Sequence, residues 1–282
     1  MMAEVSASPH VVLPDGAPSL LAADEPAPFE VYNETGAAAV LLVCDHASRF
    51  IPRALAGLGL GEAELCRHIA WDIGIADVTR GLARRLDAPA VLSHFSRLVI
   101  DANRALGDDT LIPAASDGVA VPGNHALTPL ARAARIAAFH APYHAAVEQA
   151  LVAMMRRPAA DVAAAPVLVS LHSFTPVMDG FERPWQVGIL WDHDGRMAVP
   201  LMDALRARGI AVGDNQPYSG HDVQGYTLRR HAEAHGLPNV LIEVRQDLID
   251  THHGAAEWTA LLGDTLAGVL AGLGLREGIA GA

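Results

Sequence analysis

The chain has 282 residues, of which 51% are hydrophobic and 18% charged, and this composition excludes disorder over most of its length. The net charge is −12, so the surface offers no general attraction to nucleic acid or anionic lipid. All 20 basic residues are arginine, which excludes Schiff-base chemistry, lysine-bound pyridoxal phosphate and a P-loop.

Cysteine content and hydropathy exclude further classes of protein. Cys44 and Cys66 are too few for a disulfide scaffold or a cysteine-ligated structural zinc. The first residues lack the pattern of a secretory signal, and no apolar stretch reaches the ~18 residues of a membrane span. We therefore expect a cytoplasmic protein with no membrane or nucleic-acid partner.

Along the chain, residues 1–36 are rich in Ala, Pro, Ser and Asp without periodicity, which predicts a loosely ordered leader before one domain over 37–282. Apolar runs predict strands over 40–44, 90–92, 98–100, 167–171, 186–191, 210–212 and 240–244. Helical periodicity predicts helices over 62–86, 128–157, 197–208, 222–235 and 251–273. This alternation predicts an α/β fold with a mostly parallel central sheet and helices on both faces.

Polar side chains interrupt three of the apolar strands near their carboxyl ends. His46 follows the first long run, His172 and Ser173 close the run VLVSLHS, and Glu243 lies within NVLIEVRQD. A parallel sheet would bring these ends to one edge, and two imidazoles with a carboxylate suit a catalytic zinc site with a general base. The alternatives are histidines that cap carbonyls and a buried salt bridge from Glu243 to Arg245 or another arginine.

Two further segments carry unusual polar residues. Asp72 is the only polar side chain over residues 69–76, so it either faces the surface or needs a metal or an arginine as partner. In SRLVIDANR, Arg97 and Arg104 could clamp a substrate carboxylate or stabilise an oxyanion. The alternative there is an internal pair between Asp101 and Arg104.

Two motifs are less specific. His140 and His144 have the i, i+4 spacing of zinc ligands on a helix but lack the glutamate of a zincin, and solvated histidines are the alternative. Tyr218 lies in the segment NQPYSGHDVQGYT, which predicts a shaped loop over a pocket or an ordinary turn.

These motifs together resemble the N-formylglutamate amidohydrolase (N-formylglutamate deformylase) family. The matching segments, in order, are CDHASRFIP, HIAWDIG, SRLVIDANR, FHAPYHAAV, VSLHSF, NQPYSGHDVQGYTLRRH and LIEVRQDL. They extend from about Val40 to Asp250. The family is related in fold to zinc carboxypeptidases and aspartoacylase, whose Asp-x-Asn-Arg motif looks like residues 101–104, so the resemblance implies a zinc-exopeptidase-like fold.

The resemblance also implies roles for individual residues. His46 and His172 correspond to metal ligands, and Glu243 to the residue that activates water. The positions that hold a substrate carboxylate or polarise the scissile carbonyl are matched by Arg97, Asn103 and Arg104. We add Tyr218 and Ser173 as substrate-binding candidates.

The chain departs from the related patterns at several positions. The carboxypeptidases use His-x-x-Glu for their first two ligands, whereas Arg49 stands where that pattern has glutamate, so we assign the third ligand to Asp72. The usual Pro-His opening of the deformylases is Asp45-His46 here, and residues 215–220 replace a loop rich in glycine and basic residues.

We therefore expect Zn²⁺, or another divalent metal, in an enzyme that cleaves the formamide bond of N-formylglutamate or a similar small-molecule N-acyl acidic amino acid. The alternatives are another N-acyl-amino-acid deacylase, a carboxypeptidase-like hydrolase, or a non-catalytic protein that binds acidic metabolites.

Overall fold

The computed structural model describes residues 19–157, 165–220 and 225–273. In chain order the strands are β1 (Phe29–Tyr32), β2 (Val40–Cys44), β3 (Ala90–Ser93), β4 (Ala115–Ser116), β5 (Val119–Ala120), β6 (Val167–Phe174), β7 (Val177–Met178), β8 (Phe181–Glu182), β9 (Val187–Leu190), β10 (Val212–Asp214) and β11 (Asn239–Arg245). The helices are α1 (Glu62–Leu65), α2 (Ile75–Leu86), α3 (Pro129–Arg135), α4 (Ala141–Met155), α5 (Gly195–Ala207), α6 (Tyr226–His231) and α7 (His252–Gly272).

The central sheet has the order β1-β3-β2-β6-β11-β9-β10. The middle strands β3, β2, β6 and β11 are parallel to one another, whereas β1 pairs antiparallel with β3, and β9 pairs antiparallel with β11. β4–β5 and β7–β8 form two small separate ribbons. The mostly parallel α/β sheet predicted from the sequence is confirmed.

Helices cover both faces of this sheet because its central strands are apolar on both sides. Leu42 and Cys44 of β2 pack in one core with α2, α5 and α7. Leu41 and Val43 point to the opposite core, which contains residues of α4 and α6. All residues of β2, β6 and β9 are buried, as expected for strands sandwiched between helices.

The helix predicted over 62–86 is interrupted. α1 ends at Leu65, and α2 begins only at Ile75, after a tight turn at Gly74 with φ of 80°. A Cβ at Gly74 would lie 2.1 Å from the carbonyl oxygen of Ile249, so only glycine fits there. Asp72 therefore lies on this turn and not on a helix, and its backbone N–H donates to the carbonyl of His46.

The prediction of a strand over 98–100 was also wrong. Residues 98–100 are buried but form no strand, because they continue a hydrogen-bonded turn in which the N–H of Val99 donates to Ser96. The helix predicted over 128–157 is confirmed, since α3 and α4 are joined without a break by a π-helical turn over Ile136–His140. In the segment 222–235, α6 and the 3₁₀ turn Glu233–His235 are helical, and residues 221–224 lie outside the described residues.

β1 lies inside the segment that the sequence assigned to a leader, and it pairs with β3 at the edge of the sheet. Residues 1–18 lie outside the described residues, and the division at residue 36 stays a prediction. Within the part of the chain that is described, no helix combines the length and apolarity needed to cross a membrane.

Candidate metal centre and active site

Three adjacent parallel strands bring the predicted polar side chains to one edge of the sheet. β2, β6 and β11 are neighbours and run in the same direction. His46 follows β2, whereas His172 lies inside β6 and is the register partner of Glu243 on β11. The expected convergence of these strand ends is confirmed.

Asp72 joins the two imidazoles from the turn before α2. Its Oδ2 lies 3.3 Å from Nδ1 of His46 and 2.8 Å from Nδ1 of His172. One ligand-type atom from each of the three residues lies within 4.8 Å of the other two, and all three residues are buried. Two imidazole nitrogens and a carboxylate oxygen form a donor set that fits a catalytic zinc with an open fourth position.

Two further carboxylates orient the imidazoles. Oδ1 of Asp101 lies 2.7 Å from Nε2 of His46, and Oδ2 of Asp45 lies 3.1 Å from Nε2 of His172. Since each carboxylate accepts the Nε2 proton, Nδ1 of each ring faces Asp72 and can hold either a proton or a metal ion there. Two imidazole nitrogens that face an anionic oxygen need positive charge between them, and a divalent metal that displaces the Nδ1 protons fits the residues present.

Without a metal, protons on the imidazoles supply this positive charge. Burial by itself lowers the pKa of His172, but the hydrogen bonds to Asp45 and Asp72 outweigh it and raise the pKa to about 10. Burial raises the pKa of Asp72, but the adjacent His46 and the hydrogen bond from His172 hold it well below its usual range. The site therefore favours positive charge between the two rings.

Asp45, to which the sequence assigned no role, is itself held by several donors. Tyr143 Oη and Thr227 Oγ1 donate to its Oδ1 at 2.9 and 2.6 Å, and Ser170 Oγ donates to Oδ2 at 3.3 Å. The backbone N–H of Thr227 also donates to Oδ1 of Asn103 at 3.1 Å. Thr227 therefore contacts both Asp45, which orients His172, and Asn103, which lines the pocket.

Arg97 bridges two of the buried carboxylates. Its Nη1 donates to Oδ1 of Asp72 at 3.2 Å, and its Nη2 donates to Oδ2 of Asp101 at 3.1 Å. From the sequence, we considered a metal or an arginine as the partner of Asp72. Asp72 can bind both, because Arg97 donates to Oδ1 and a metal would bind Oδ2. Burial lowers the pKa of Arg97, but the two carboxylates outweigh it and raise the pKa, so the guanidinium stays charged.

Glu243 is buried at the same edge, and within the described part of the chain its Oε2 has no hydrogen-bond partner. The alternative of a salt bridge to Arg245 does not hold, since Arg245 pairs with Asp247 at 2.8 Å. Burial, reinforced by the charge of Asp72, raises the pKa of Glu243 to about 7 against the opposing effect of His172. A carboxylate poised near neutrality and free of hydrogen bonds can take and return a proton.

A pocket of about 320 Å³ opens onto this cluster. Arg104 lines it, donates only to Thr110 Oγ1 and the carbonyl of Asn103, and has no carboxylate partner among the described residues. Asn103 accepts from Thr227 through Oδ1, so its amide NH₂ remains available to a ligand. The alternative interpretation, an ion pair between the Asp101 and Arg104 side chains, is absent from the described structure.

The two remaining substrate-binding candidates line the same pocket with different constraints. Ser173 donates from Oγ to the carbonyl of Ile73 and from its backbone N–H to Oδ2 of Asp72. Tyr218 is placed by a close approach of its loop to β9, where a Cβ at Gly188 would lie 2.0 Å from the carbonyl oxygen of Gln216.

His140 and His144 point to the loop before the pocket, and not to a common metal position. Nε2 of His140 donates to the carbonyl of Arg104 at 3.0 Å, and Nε2 of His144 donates to that of Ala102 at 2.9 Å. Nδ1 of His144 lies 2.9 Å from Nε2 of His231. Burial lowers the pKa of all three histidines, so they are neutral groups that fix the backbone carrying Asn103 and Arg104.

From the sequence, we named the residues of the cluster but assigned no role to Asp45 or Asp101, the two carboxylates that orient its imidazoles. Asp45 and Asp101 each stand at the end of an apolar run, which is the signal that marked His46. Their assignment to the second nitrogen of each imidazole required the three-dimensional arrangement.

Comparison with known proteins adds independent findings. The family model for N-formylglutamate amidohydrolase matches residues 38–250. A search of curated proteins found no match.

Two solved structures are similar over most of the chain. The gene product Atu2144 from Agrobacterium tumefaciens is 35% identical, with a TM-score of 0.86 over 90% of this chain and 99% of the other. The N-formylglutamate amidohydrolase from Ralstonia eutropha JMP134 is 21% identical, with a TM-score of 0.65 over 89% of this chain and 99% of the other, a likeness of fold.

Proposed function

The chain belongs to the N-formylglutamate amidohydrolase family and is a hydrolase of amide bonds, and from this premise we propose a metal-dependent hydrolase of N-formylglutamate or a similar N-acyl acidic amino acid. The observation that carries the proposal is Glu243, which lines the same pocket as His46, Asp72 and His172 and whose buried Oε2 has no hydrogen-bond partner among the described residues.

We assign His46, Asp72 and His172 to Zn²⁺ or another divalent metal. When bound there, the metal supplies Lewis-acid chemistry, in which it acidifies a water molecule and polarises a carbonyl. The two nitrogens and one oxygen of these side chains leave room for an exchangeable position.

Glu243 moves the proton in this mechanism. Oε2 accepts a proton from the attacking water as the water oxygen forms its bond to the acyl carbon. The same Oε2 returns this proton to the amide nitrogen as the C–N bond breaks, which yields formate and the free amino acid when the acyl group is formyl. A pKa of about 7 suits both transfers.

The remaining pocket residues hold the substrate. Arg104 and the amide of Asn103 bind a substrate carboxylate, for which Arg104 has an uncommitted charge among the described residues. Arg97 stabilises the carbonyl oxygen as it gains negative charge. Tyr218 and Ser173 complete the wall of the pocket. A cytoplasmic location remains a prediction from the sequence.

The test is metal analysis of the purified protein together with a turnover screen over N-formyl and N-acetyl amino acids. Glu243→Gln should keep the metal, because Glu243 is assigned to proton transfer, and its kcat should fall by at least ~10²-fold. Glu257→Gln, an exposed change on α7, is the matched control and should leave kcat unchanged.

Two outcomes would contradict parts of the proposal. Loss of metal and activity together in Glu243→Gln would make Glu243 a ligand. Cleavage of carboxyl-terminal peptide bonds without turnover of any N-acyl amino acid would favour the carboxypeptidase-like alternative.

A further inference from the structure

Arg183 is a buried cation without an anionic partner. Arg183 is 7% exposed, and it forms no ion pair with any described side chain. Its hydrogen bonds go to neutral acceptors: the carbonyl of Thr175 at 3.1 Å, Sδ of Met178 at 2.9 Å and Oη of Tyr218 at 3.3 Å. Burying a guanidinium in this way is costly, which indicates a role beyond packing.

The contact with Tyr218 constrains the hydroxyl proton. Arginine has only donors, so Oη of Tyr218 accepts from Nη1 of Arg183 and cannot donate back. No other described group accepts from this hydroxyl, and Tyr218 lines the pocket, so its proton is available to a ligand there. The guanidinium also lies over the phenol ring, 5.0 Å from its centroid, and thereby fixes the ring orientation.

Tyr218 lines the same pocket as Glu243 and the cluster of His46, Asp72 and His172. The pKa of Tyr218 is raised by burial and by the charge of Glu243, against the opposing effect of Arg183. Arg97 lines the same pocket, and its two Nη atoms already donate to Asp72 and Asp101.

On the basis of the proposed function, we propose that the Tyr218 hydroxyl donates a hydrogen bond to the scissile carbonyl oxygen as it becomes negative, and that Arg183 is the positioning residue that aims this hydroxyl. Tyr218 keeps its proton throughout, and no bond to it forms or breaks. A positive charge on the oxygen side of the hydroxyl makes it a stronger donor.

A purely structural role for Arg183 makes a different prediction. Arg183 also holds the ribbon of β7 and β8 through Thr175 and Met178, which line the pocket. If that were its only role, its removal would disturb substrate binding and raise KM, independently of the Tyr218 hydroxyl.

The experiment is a double-mutant cycle with an N-formyl amino acid that the wild-type enzyme hydrolyses. Tyr218→Phe should lower kcat by ~10- to 10²-fold with little change in KM, as for the loss of one oxyanion donor. Arg183→Met should also lower kcat, and in the Tyr218→Phe background it should change kcat by less than about twofold, because both act through one hydroxyl.

Arg135→Met is the matched control. Arg135 is likewise buried and bonded to neutral oxygens, those of Val99, Gly123 and Asn124, and its loss should leave kcat per folded molecule unchanged. Thermal midpoints confirm folding, and if Arg183→Met does not fold, Arg183→Lys replaces it in the cycle.

Multiplicative losses in the double mutant, a rise in KM alone, or an unchanged kcat in Tyr218→Phe would each overturn the inference while leaving the proposed function intact. A wild-type protein that hydrolyses no N-acyl amino acid would overturn the proposed function and the inference with it.

Discussion

The two carboxylate oxygens of Asp72 have different partners. Oδ2 faces the two Nδ1 atoms, and Oδ1 accepts from Arg97. An asparagine offers one oxygen and one NH₂ group, so it cannot serve a cation and a guanidinium together.

We expect Asp72→Asn to lower zinc affinity by at least ~10-fold, since a charged ligand is replaced by a neutral one. The thermal midpoint should fall as well, because Arg97 loses a buried partner. Titration with a zinc chelator and a thermal melt on the same sample measure both effects. Asp264→Asn, which removes a surface partner of Arg85, is the control and should keep wild-type zinc affinity. Unchanged affinity in Asp72→Asn would remove Asp72 from the ligand set.

At the scale of single residues, the sequence identified polar side chains that lie within apolar segments. Asp72 and Glu243 stood out because an unpartnered buried carboxylate is costly. The pairing of each imidazole with its own carboxylate could not be predicted, because His46 and Asp101 are distant in sequence and meet only through the fold.

At the scale of elements, the π-helical turn between α3 and α4 sets the rotation of α4. Pro142 has no N–H to donate, and the N–H of Ala141 donates to Ile136, five residues back, in place of the regular partner. The turn thereby presents Tyr143 to Asp45 and His144 to the carbonyl of Ala102.

We predict that deletion of Ala138 converts this turn into regular helix and rotates α4 by about 100° relative to α3. Tyr143 and His144 would then lose their partners, and we expect a lower thermal midpoint together with a lower kcat. Ala138→Ser keeps the residue count and should retain both. Wild-type values in the deletion variant would show that α4 is positioned by other contacts.

The sequence predicted that helices and strands occur in these segments, but it predicted less well where each one begins and ends. The strand over 167–171 extends to Phe174, which places His172 within the sheet. The break at Gly74 was missed because the apolar pattern of 62–86 continues through the turn, and only the approach of Ile249 requires the glycine.

At the scale of the whole molecule, the buried neutral histidines link folding to pH. Burial, reinforced by Arg230, lowers the pKa of His231 from 6.5 to about 3. Above pH 6.5 this histidine is neutral whether the chain is folded or unfolded. Below it the unfolded chain binds a proton that the folded chain does not, so the free energy of unfolding falls as pH falls from 6.5 toward 3.

We expect His231→Gln, which keeps a donor for His144, to reduce this pH slope by about 1 kcal/mol per pH unit, near the 1.4 kcal/mol that one proton contributes. Urea unfolding at several pH values between about 4.5 and 7.5 measures the slope. His253→Gln, an exposed change on α7, should show the wild-type slope. An unaltered slope in His231→Gln would mean that His231 is protonated in the folded protein.

The alternation of apolar runs and helical patterns was enough to predict the α/β class and the parallel centre of the sheet. It did not predict that β1 runs antiparallel to β3 and β9 antiparallel to β11, since strand direction depends on connections that hydropathy does not report.

Thr227 has a consequence for how this enzyme can diverge. Its hydroxyl supports Asp45 on the metal side, and its backbone N–H supports Asn103 on the substrate side. Replacement of the side chain removes the hydroxyl that supports Asp45, whereas the backbone N–H to Asn103 remains, so a substitution at Thr227 would weaken hydrolysis without offering a new contact to the substrate. Change in substrate preference is therefore expected to accumulate at residues 215–220, which border the pocket without touching Asp45, while Thr227 stays fixed.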